Sequence, residues 1–288
     1  MASNRRMHLL PVASLLLGAG LWGVIWYPMR LLEGHGLSGI WLTLILYAAA
    51  LAASLPVTLP AARELVAHRR TLLPLALAGG WTNIAFVLAI LDGNVMRVLL
   101  LFYLSPVWAV ILGWIILGER VSNRSLATLG VAMAGALLLL WDPVSGVPWP
   151  QHNSDWLALS AGFAFALSNV FVRKGQEASI AAKSLAVWVG VAVIAYALIA
   201  LFRVPSPGVE ATVTLGAVAL GVFGILLMTV LVQYGVTHMP IHRSAVILLF
   251  ELVSGAISQQ LLTDEVMTAA DWSGGALIIV AAYISARL

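Results

Sequence analysis

The sequence predicts an all-α, polytopic membrane protein with ten transmembrane helices. Hydrophobic residues make up 61% of its 288 residues and charged residues only 9%, whereas a soluble domain carries about 25% charged residues. Apolar stretches of about 20 residues, the length that a spanning helix needs, recur ten times along the chain. The gaps between them are alternately basic and almost free of basic residues, which is the pattern of a helical bundle threaded through a bilayer.

The gaps between the apolar stretches are too short to hold a soluble domain. The longest of them covers residues 142–154, so we expect one membrane domain, residues 1–288, with its function inside the bundle. The basic start of the chain resembles a signal peptide, but we interpret the run from Leu9 as the first span. The predicted spans are residues 9–29, 39–60, 72–91, 95–117, 125–141, 156–173, 184–202, 213–235, 243–262 and 270–286.

The lysines and arginines predict the orientation of the chain. Twelve of the 15 fall on the side of the N-terminus, and only Arg30, Arg97 and Arg203 fall on the other side. Because basic residues are retained in the cytoplasm, we expect both termini to be cytoplasmic. Since the basic residues lie on loops that set this topology, the sequence pI of about 9.5 does not indicate a nucleic-acid partner.

The two halves of the chain resemble each other faintly. The segment Leu15–Gly20 aligns with Leu157–Gly162. Further on, two pairs of residues align at an offset of 146: Arg97 with Arg243, and Glu119 with Glu265. In each half of the chain, the Arg lies at the start of an apolar helix and the Glu lies at its end.

This repeat predicts two five-helix halves, residues 9–141 and 156–286. Because each half has an odd number of spans, the second copy enters the membrane from the opposite side. Inverted repeats of this kind build many secondary transporters, in which the substrate site lies near the midplane between the halves.

The first half contains three motifs: Leu104-Ser105-Pro106-Val107, the segment Leu117–Ser122, and Leu129-Gly130 with Gly135. Together they resemble the signature of the drug/metabolite transporter superfamily, EamA type. The second half keeps them only partly, since Thr263-Asp264-Glu265 replaces Leu-Gly-Glu and Leu252 stands where Pro106 does. The resemblance implies two inverted halves whose first four helices surround the path, with helices five and ten packed at one side.

The abundance of Trp in and beside the early helices is similar to that of the aromatic amino acid exporters of the YddG type. The resemblance therefore implies an exporter in the bacterial inner membrane for amino acids, particularly aromatic and bulky neutral ones, working by alternating access. No G-x-x-x-x-G-K-[ST] motif is present, so we expect neither ATP hydrolysis nor a cofactor. A monomer is sufficient for this function, and a homodimer is an open alternative.

Other functions remain as alternatives. A multidrug or metabolite exporter of the same superfamily would take cationic or nucleotide-linked solutes. A membrane-embedded enzyme would need paired acids, a nucleophile or a metal site, yet the chain has no Cys and no H-E-x-x-H motif, so we expect no enzyme and no metal. A helper subunit without transport activity would need neither the repeat nor a polar helix face.

Glu251 is the first candidate for substrate binding, because a charge near mid-membrane costs about 2.5–3.5 kcal/mol on insertion scales. It shares one helix face with Ser254, Gly255, Ser258 and Gln259. That face fits either a water-filled path or a tight seam between helices. Glu251 itself is open to a substrate role, a proton role or a structural role.

The repeat predicts partners for Glu251 in the fourth helix. At the offset of 146, the polar face maps onto Ser105 and Trp108, with Tyr103 on a neighbouring arc. Pro106 removes one helix hydrogen bond, and we interpret it as a hinge, with a tolerated kink as the alternative.

Aromatic and amide side chains in other spans complete the predicted substrate site, since rings stack and amides orient an amino acid head group. For each Trp, anchoring at the bilayer interface is the alternative. These candidates are Trp22 and Trp26 in the first helix, Trp81 and Asn83 in the third, Phe165 and Asn169 in the sixth, and Gln233 in the eighth.

Two arginines and one set of small residues have less specific interpretations. Arg97 and Arg243 lie just inside helix starts, where we expect them to reach lipid head groups, with carboxylate capture as the alternative. The small residues around Gly135 in the fifth helix, with Gly274 in the tenth, predict a close packing surface within the bundle or between two copies.

Overall fold

The computed structural model describes residues 2–37, 39–93, 95–141, 149–264 and 266–288. Ten helices within these ranges are long and apolar enough to cross a bilayer, and no β-strand occurs in them, so the all-α prediction of ten spans is confirmed. Glu265, the predicted counterpart of Glu119, lies outside the described residues.

The ten helices follow the predicted spans, with short connections between them. We number them in chain order. They are α1 Leu9–Gly34, α2 Gly39–Ala67, α3 Arg69–Ile90, α4 Arg97–Leu117, α5 Asn123–Leu140, α6 Asn153–Lys174, α7 Ile180–Phe202, α8 Ala211–His238, α9 Ile241–Leu262 and α10 Ala269–Arg287.

Helices α1 and α4 are each interrupted, and a proline lies just after each break. In α4 the first segment ends at Phe102 and the next begins at Ser105. Pro106 has no N–H to donate to the carbonyl of Phe102, four residues earlier, so one helix hydrogen bond is missing at this break. In α1 the break covers residues 23–25, and Pro28 stands four residues after Val24.

Helix α9 breaks at Leu249, between segments that end at Leu248 and resume at Phe250. No proline lies in α9. The N–H of Leu249 instead bonds to the carbonyl of Val246, three residues back, in a tightened turn. Leu249 is 146 residues after Tyr103, which lies in the break of α4, so the two aligned helices are interrupted at matching positions.

Contacts at the helix ends give the relative directions of α4, α6 and α9. Arg97 at the start of α4 bonds to Asp155 at the start of α6, and Glu119 just after α4 bonds to Arg173 at the end of α6. Helices α4 and α6 therefore run parallel. Ile241 at the start of α9 donates to Glu119, so α9 runs antiparallel to both.

Helix α1 runs parallel to α9. The carbonyl of Ala19 accepts a hydrogen bond from Ser254, and the carbonyl of Gly23 accepts one from Ser258. The first helix of one half and the first helix of the other, α1 and α6, consequently point in opposite directions.

Glycine allows two pairs of helices to approach closely. A Cβ on Gly162 of α6 would collide with the carbonyl oxygen of Phe102, the group that Pro106 leaves unbonded in α4. In α5 and α10, a Cβ on Gly135 would lie 2.7 Å from the carbonyl oxygen of Gly274, and the reverse distance is 2.6 Å. The small residues around Gly135 thus form a seam within one chain, and α5 and α10 pack together beside the bundle.

Candidate functional site

A cavity lies between α4, α6 and α9, next to the breaks in α4 and α9. It leaves about 10 Å³ for the centres of water molecules, which is room for about one water. In this structure the cavity is therefore too small for an amino acid. The side chains that carry polar or aromatic groups into its wall are Tyr103, Ser105, Phe165, Asn169, Ser244 and Glu251.

Glu251 of α9 and Tyr103 of α4 both line the cavity, and their side chains face each other across it. Glu251 is the eleventh of the 22 residues of α9, so its carboxyl group lies near the middle of the span. Among the described residues no cationic side chain forms an ion pair with it. The cavity thus contains a carboxyl group whose charge the protein does not neutralise.

Two further cavity side chains have polar groups without a partner in the described part of the chain. Asn169 of α6 is 5% exposed and Ser105 of α4 is 4% exposed, and neither the amide nor the hydroxyl makes a hydrogen bond. Buried polar groups are nearly always bonded, so these two are free to bind a ligand. Ser244, in contrast, already donates to the carbonyl of Ile241 at 3.0 Å.

An aromatic cluster supports one side of the cavity. The ring of Phe102 lies 5.5 Å from that of Phe165, 5.2 Å from that of Tyr103 and 4.8 Å from that of Phe86. Phe165 and Tyr103 reach the cavity wall. They offer ring faces and edges to an apolar or aromatic side chain.

An ion pair joins α4 to α6 at one end of the bundle. Arg97 Nε donates to Asp155 Oδ2 at 3.0 Å, and the backbone N–H groups of Gln151 and His152 donate to the same oxygen. Arg97 also donates to the carbonyl of Trp149. We call Arg97 and Asp155 the Asp155 latch. Arg97 is therefore bound within the protein, instead of reaching the head groups as expected.

A second ion pair joins the same helices at the opposite end. Glu119 accepts from Arg173 Nε at 3.1 Å and from the N–H of Ile241 at 2.9 Å, and His242 Nδ1 lies 3.7 Å from it. We call these four residues the Glu119 latch. Ile241 also lines the cavity, so this latch borders the cavity on its side.

The Glu119 latch holds its carboxylate in the ionised form. Burial raises the pKa of Glu119, but the contacts with His242, the Ile241 N–H and Arg173 outweigh burial and hold the pKa below its ordinary value. The latch is consequently charged at neutral pH.

Lys183 was not anticipated as a site residue. It is 0% exposed in the first turn of α7, and its ammonium donates to Thr237 at 2.9 Å. Arg173 donates to the backbone carbonyl of the same Thr237. Lys183 therefore extends the network around the Glu119 latch to α7 and α8, a role that only its burial reveals.

The tryptophans of α1 lie away from the cavity. Trp22 ends one segment and Trp26 begins the next. The break between them removes the regular spacing on which their shared helix face was predicted. Trp26 donates to Ser258 at 2.9 Å, so it supports the seam between α1 and α9.

The two candidates in α3 also have partners outside the cavity. Trp81 is 38% exposed and donates to Ser160 at 3.2 Å. The amide of Asn83 is used twice, since its oxygen accepts from Tyr47 at 2.6 Å and its nitrogen donates to the carbonyl of Gly79 at 2.9 Å.

Three further predicted residues, Trp108, Gln233 and Ser254, are not among the residues that line the cavity. Trp108 packs edge-on against Phe163, and its buried Nε1 has no partner in the described residues. Gln233 is buried in α8 with Oε1 unbonded. Ser254 lies against Gly23 of α1, so the polar face of α9 turns from the cavity at Glu251 to a tight helix seam at Ser254.

Arg243 is bound at the end of another helix. It donates to the carbonyls of Ser285 and Ala286 at the end of α10, so it satisfies a helix C-terminus. The described residues contain no group of three or more His, Asp or Glu side chains placed to hold a metal ion.

Comparisons with known proteins agree with this architecture. A model of the EamA-like transporter family matches residues 9–141 and 152–287. An uncharacterized transporter of Archaeoglobus fulgidus is 27% identical over 275 residues, 96% of each chain. A protein of Escherichia coli K12 named as a probable amino-acid metabolite efflux pump is 28% identical over 62% of each chain. A crystal structure with 16% sequence identity has a TM-score of 0.76, covering 96% of this chain and 97% of the other.

Proposed function

Because the chain belongs to the EamA-like transporter family, we propose that this multi-pass membrane protein exports amino acids, particularly aromatic and bulky neutral ones. Its proposed location is the inner membrane of a bacterium, and its proposed mechanism is alternating access around the cavity between α4, α6 and α9. The name of the Escherichia coli relative, a probable amino-acid metabolite efflux pump, supports this substrate class.

The observation that carries the proposal is the set of unsatisfied polar groups in the cavity. A zwitterionic amino acid has an ammonium, a carboxylate and a side chain. The Glu251 carboxylate suits the ammonium, and the free donors of Asn169 and Ser105 suit the carboxylate. The rings of Tyr103 and Phe165 suit an aromatic or branched side chain.

Alternating access is supported by the two latches. The Asp155 latch and the Glu119 latch tie α4 to α6 at opposite ends of the bundle, with the cavity between them. Opening one latch while the other stays closed would expose the cavity to one side at a time. The opposite directions of α1 and α6 support the inverted repeat that this mechanism uses.

The transport function is tested with purified protein in liposomes. Vesicles loaded with labelled phenylalanine are expected to release it in a saturable manner that excess tryptophan inhibits. Release of labelled methyltriphenylphosphonium without release of phenylalanine would favour the alternative of a multidrug exporter. No flux of either solute would contradict the transporter proposal.

The orientation is tested with single cysteines, since the natural chain has none. Asn123→Cys places a thiol at the exposed start of α5, on the side that we propose to be cytoplasmic, and Ser206→Cys places one in an exposed loop on the side that we propose to be external. A membrane-impermeant thiol reagent added to intact cells is expected to label only Ser206→Cys. The reverse pattern would overturn the proposal that both termini are cytoplasmic.

A further inference from the structure

We propose that the groups that bind the Glu119 carboxylate form the entry site for the carboxylate of the transported amino acid. Glu119 then acts as a tethered competitor, which the arriving substrate displaces, so that the substrate itself opens the Glu119 latch. This inference rests on the proposed transport of amino acids. It adds the residues that first bind the substrate and the event that opens the cavity.

The Glu119 latch has the composition of a carboxylate-binding site. One carboxylate oxygen accepts from the guanidinium of Arg173 at 3.1 Å, and the other accepts from the N–H of Ile241 at 2.9 Å. Arginine binds carboxylates through charge-assisted hydrogen bonds, and the N–H groups that begin a helix attract anions. Ile241 begins a helical segment of eight residues. These groups recognise a carboxylate as such, so a free one suits them as well as the glutamate does.

Glu119 leaves part of this site unused. His242 Nδ1 is buried and has no hydrogen-bond partner in the described residues, although it lies 3.7 Å from Glu119 Oε2. The backbone of α4 limits how far the Glu119 carboxylate can move towards it. A carboxylate that is not attached to the chain has no such limit, and it can bind the imidazole as well as Arg173.

Lys183 places a second cation behind Arg173. Its ammonium bonds to Thr237 Oγ1 at 2.9 Å, while Arg173 bonds to the carbonyl of the same residue at 2.8 Å. Lys183 forms no ion pair within the described part of the chain. Glu64 of α2 interacts with it electrostatically, but the Glu64 carboxylate is bonded to the N–H of Ser179. The two converging cations therefore attract an anion to this end of the bundle.

The site lies between water and the cavity. The side chains of Arg173 and Glu119 are 22% and 18% exposed, so water reaches them, and the side chain of Ile241 lines the cavity. Asn169 also lines the cavity, and its amide has no partner in the described residues. It lies four residues before Arg173 on the same face of α6, about 6 Å deeper by the rise of the helix. A carboxylate released by Arg173 therefore meets the free Asn169 amide next.

The first test asks whether a carboxylate alone opens the latch. The cavity thiol of Ser244→Cys is labelled by a membrane-impermeant reagent from the Glu119 side, with 3-phenylpropionate or phenylalaninamide added on that side. The first probe has a carboxylate and no ammonium, and the second has an ammonium and no carboxylate. We expect 3-phenylpropionate to accelerate labelling about tenfold, the value of one charge-assisted hydrogen bond, and phenylalaninamide to have no effect.

Two double variants serve as controls for this test. Arg173→Gln in the Ser244→Cys background is expected to be labelled rapidly with or without 3-phenylpropionate, because both the latch and the site are lost. Lys174→Gln removes the exposed neighbouring cation and is expected to keep the response. A rate for Ser244→Cys alone that 3-phenylpropionate does not change would overturn the inference, even if Arg173→Gln does not fold.

The second test compares the two partners of the ion pair in transport. Right-side-out membrane vesicles, whose lumen faces the side that we propose to be cytoplasmic, are loaded with labelled phenylalanine. Glu119→Gln and Arg173→Gln both lack the ion pair, so a difference between them reports the site alone. The KM for phenylalanine release is expected to be about tenfold or more higher in Arg173→Gln than in Glu119→Gln. A contact that only holds the helices together predicts equal KM values.

The outcomes separate this inference from the proposed function. Phenylalanine release with equal KM in the two variants would overturn the entry site and leave the transport of amino acids intact. No release of phenylalanine, together with faster labelling in 3-phenylpropionate, would support the carboxylate site and overturn the amino-acid substrate. Neither release nor faster labelling would overturn both.

Discussion

Arg173 Nε lies 3.1 Å from Glu119 Oε1, and this pair joins the ends of two parallel helices, α4 and α6. The second carboxylate oxygen of Glu119 accepts from the start of α9. One side chain therefore connects all three helices that line the cavity. The side chains of Glu119 and Arg173 remain about one-fifth exposed, so the contact can separate into water.

Glu119→Gln is expected to open the cavity on the Glu119 side. The variant keeps the shape of the side chain and loses charge-assisted hydrogen bonds, which contribute about 1.5–3 kcal/mol. Labelling of a Ser244→Cys thiol in the cavity, with a reagent supplied from that side, is expected to accelerate about tenfold or more. Arg120→Gln changes an exposed neighbour and is the control. Equal labelling rates in both variants would contradict the latch.

Asp155→Asn is expected to open the cavity on the Asp155 side, at the end of the bundle opposite the Glu119 latch. Asp155 is 1% exposed and accepts from Arg97 and two backbone N–H groups. Loss of one partner of a buried charge pair costs about 3–5 kcal/mol. Labelling of the same Ser244→Cys thiol is expected to accelerate only with reagent supplied from the Asp155 side. Acceleration from the Glu119 side instead would show that the two latches are not independent.

The stabilisation from Glu119 is expected to persist across the neutral range and to fail in acid. Its pKa in the folded protein is lowered from the ordinary value of 4.5. A lowered pKa gives stability that is complete above the ordinary value and is lost as the pH falls through the folded value. The difference in Tm between wild type and Glu119→Gln should therefore be constant from pH 8 to about 5 and shrink below about 4.5. A difference that shrinks already between pH 8 and 6 would contradict this.

Asn169→Leu is expected to weaken substrate binding without loss of stability. The Asn169 amide has no partner in the described residues, so an apolar side chain of similar size removes only bonds to the substrate. A lost hydrogen bond to a charged group predicts an increase in KM of about tenfold or more, with Tm unchanged or raised.

The matched variant for Asn169→Leu is Asn83→Leu. It removes the hydrogen bond from Tyr47 of α2 and the side-chain bond to the Gly79 carbonyl. It is expected to lower Tm, because the buried Tyr47 hydroxyl loses its acceptor, and to leave KM unchanged. Transport assays and thermal unfolding of both variants test the pair. An equal rise in KM would assign Asn83 to the site as well.

Gly162→Ala is expected to separate α6 from α4 and lower both Tm and transport. The added methyl group would meet the carbonyl of Phe102, which is backbone and cannot move aside. The control is Gly130→Ala in α5, where a Cβ meets nothing within 4 Å. There the better helix propensity of Ala predicts a gain of up to about 1 kcal/mol. Similar losses in both variants would show that the close contact does not matter.

The ten helices could be predicted from the sequence because span length and hydropathy are local properties. The depth of Glu251 and the proline at position 106 were likewise visible in the sequence, and both residues lie at the cavity. The break at Leu249 was not, because no proline marks it. Lys183 and Asp155 gave no signal either, since their burial and their partners on other helices arise only on packing.

The spacing of Trp22 and Trp26 illustrates a different limit. The prediction of a shared face assumed an unbroken helix, and the break at residues 23–25 changes which way each ring points. Sequence periodicity therefore predicts the depth of a side chain within a span better than it predicts which side chains share one helix face.

The break at Leu249 has a consequence for how the two halves differ in motion. The bend in α4 is built into its covalent structure, since no rearrangement can restore the missing N–H of Pro106. The bend in α9 involves only ordinary residues, all of which keep a donor. Glu251 therefore lies two residues from a break at which every backbone donor is kept, whereas the break in α4 lacks one donor permanently.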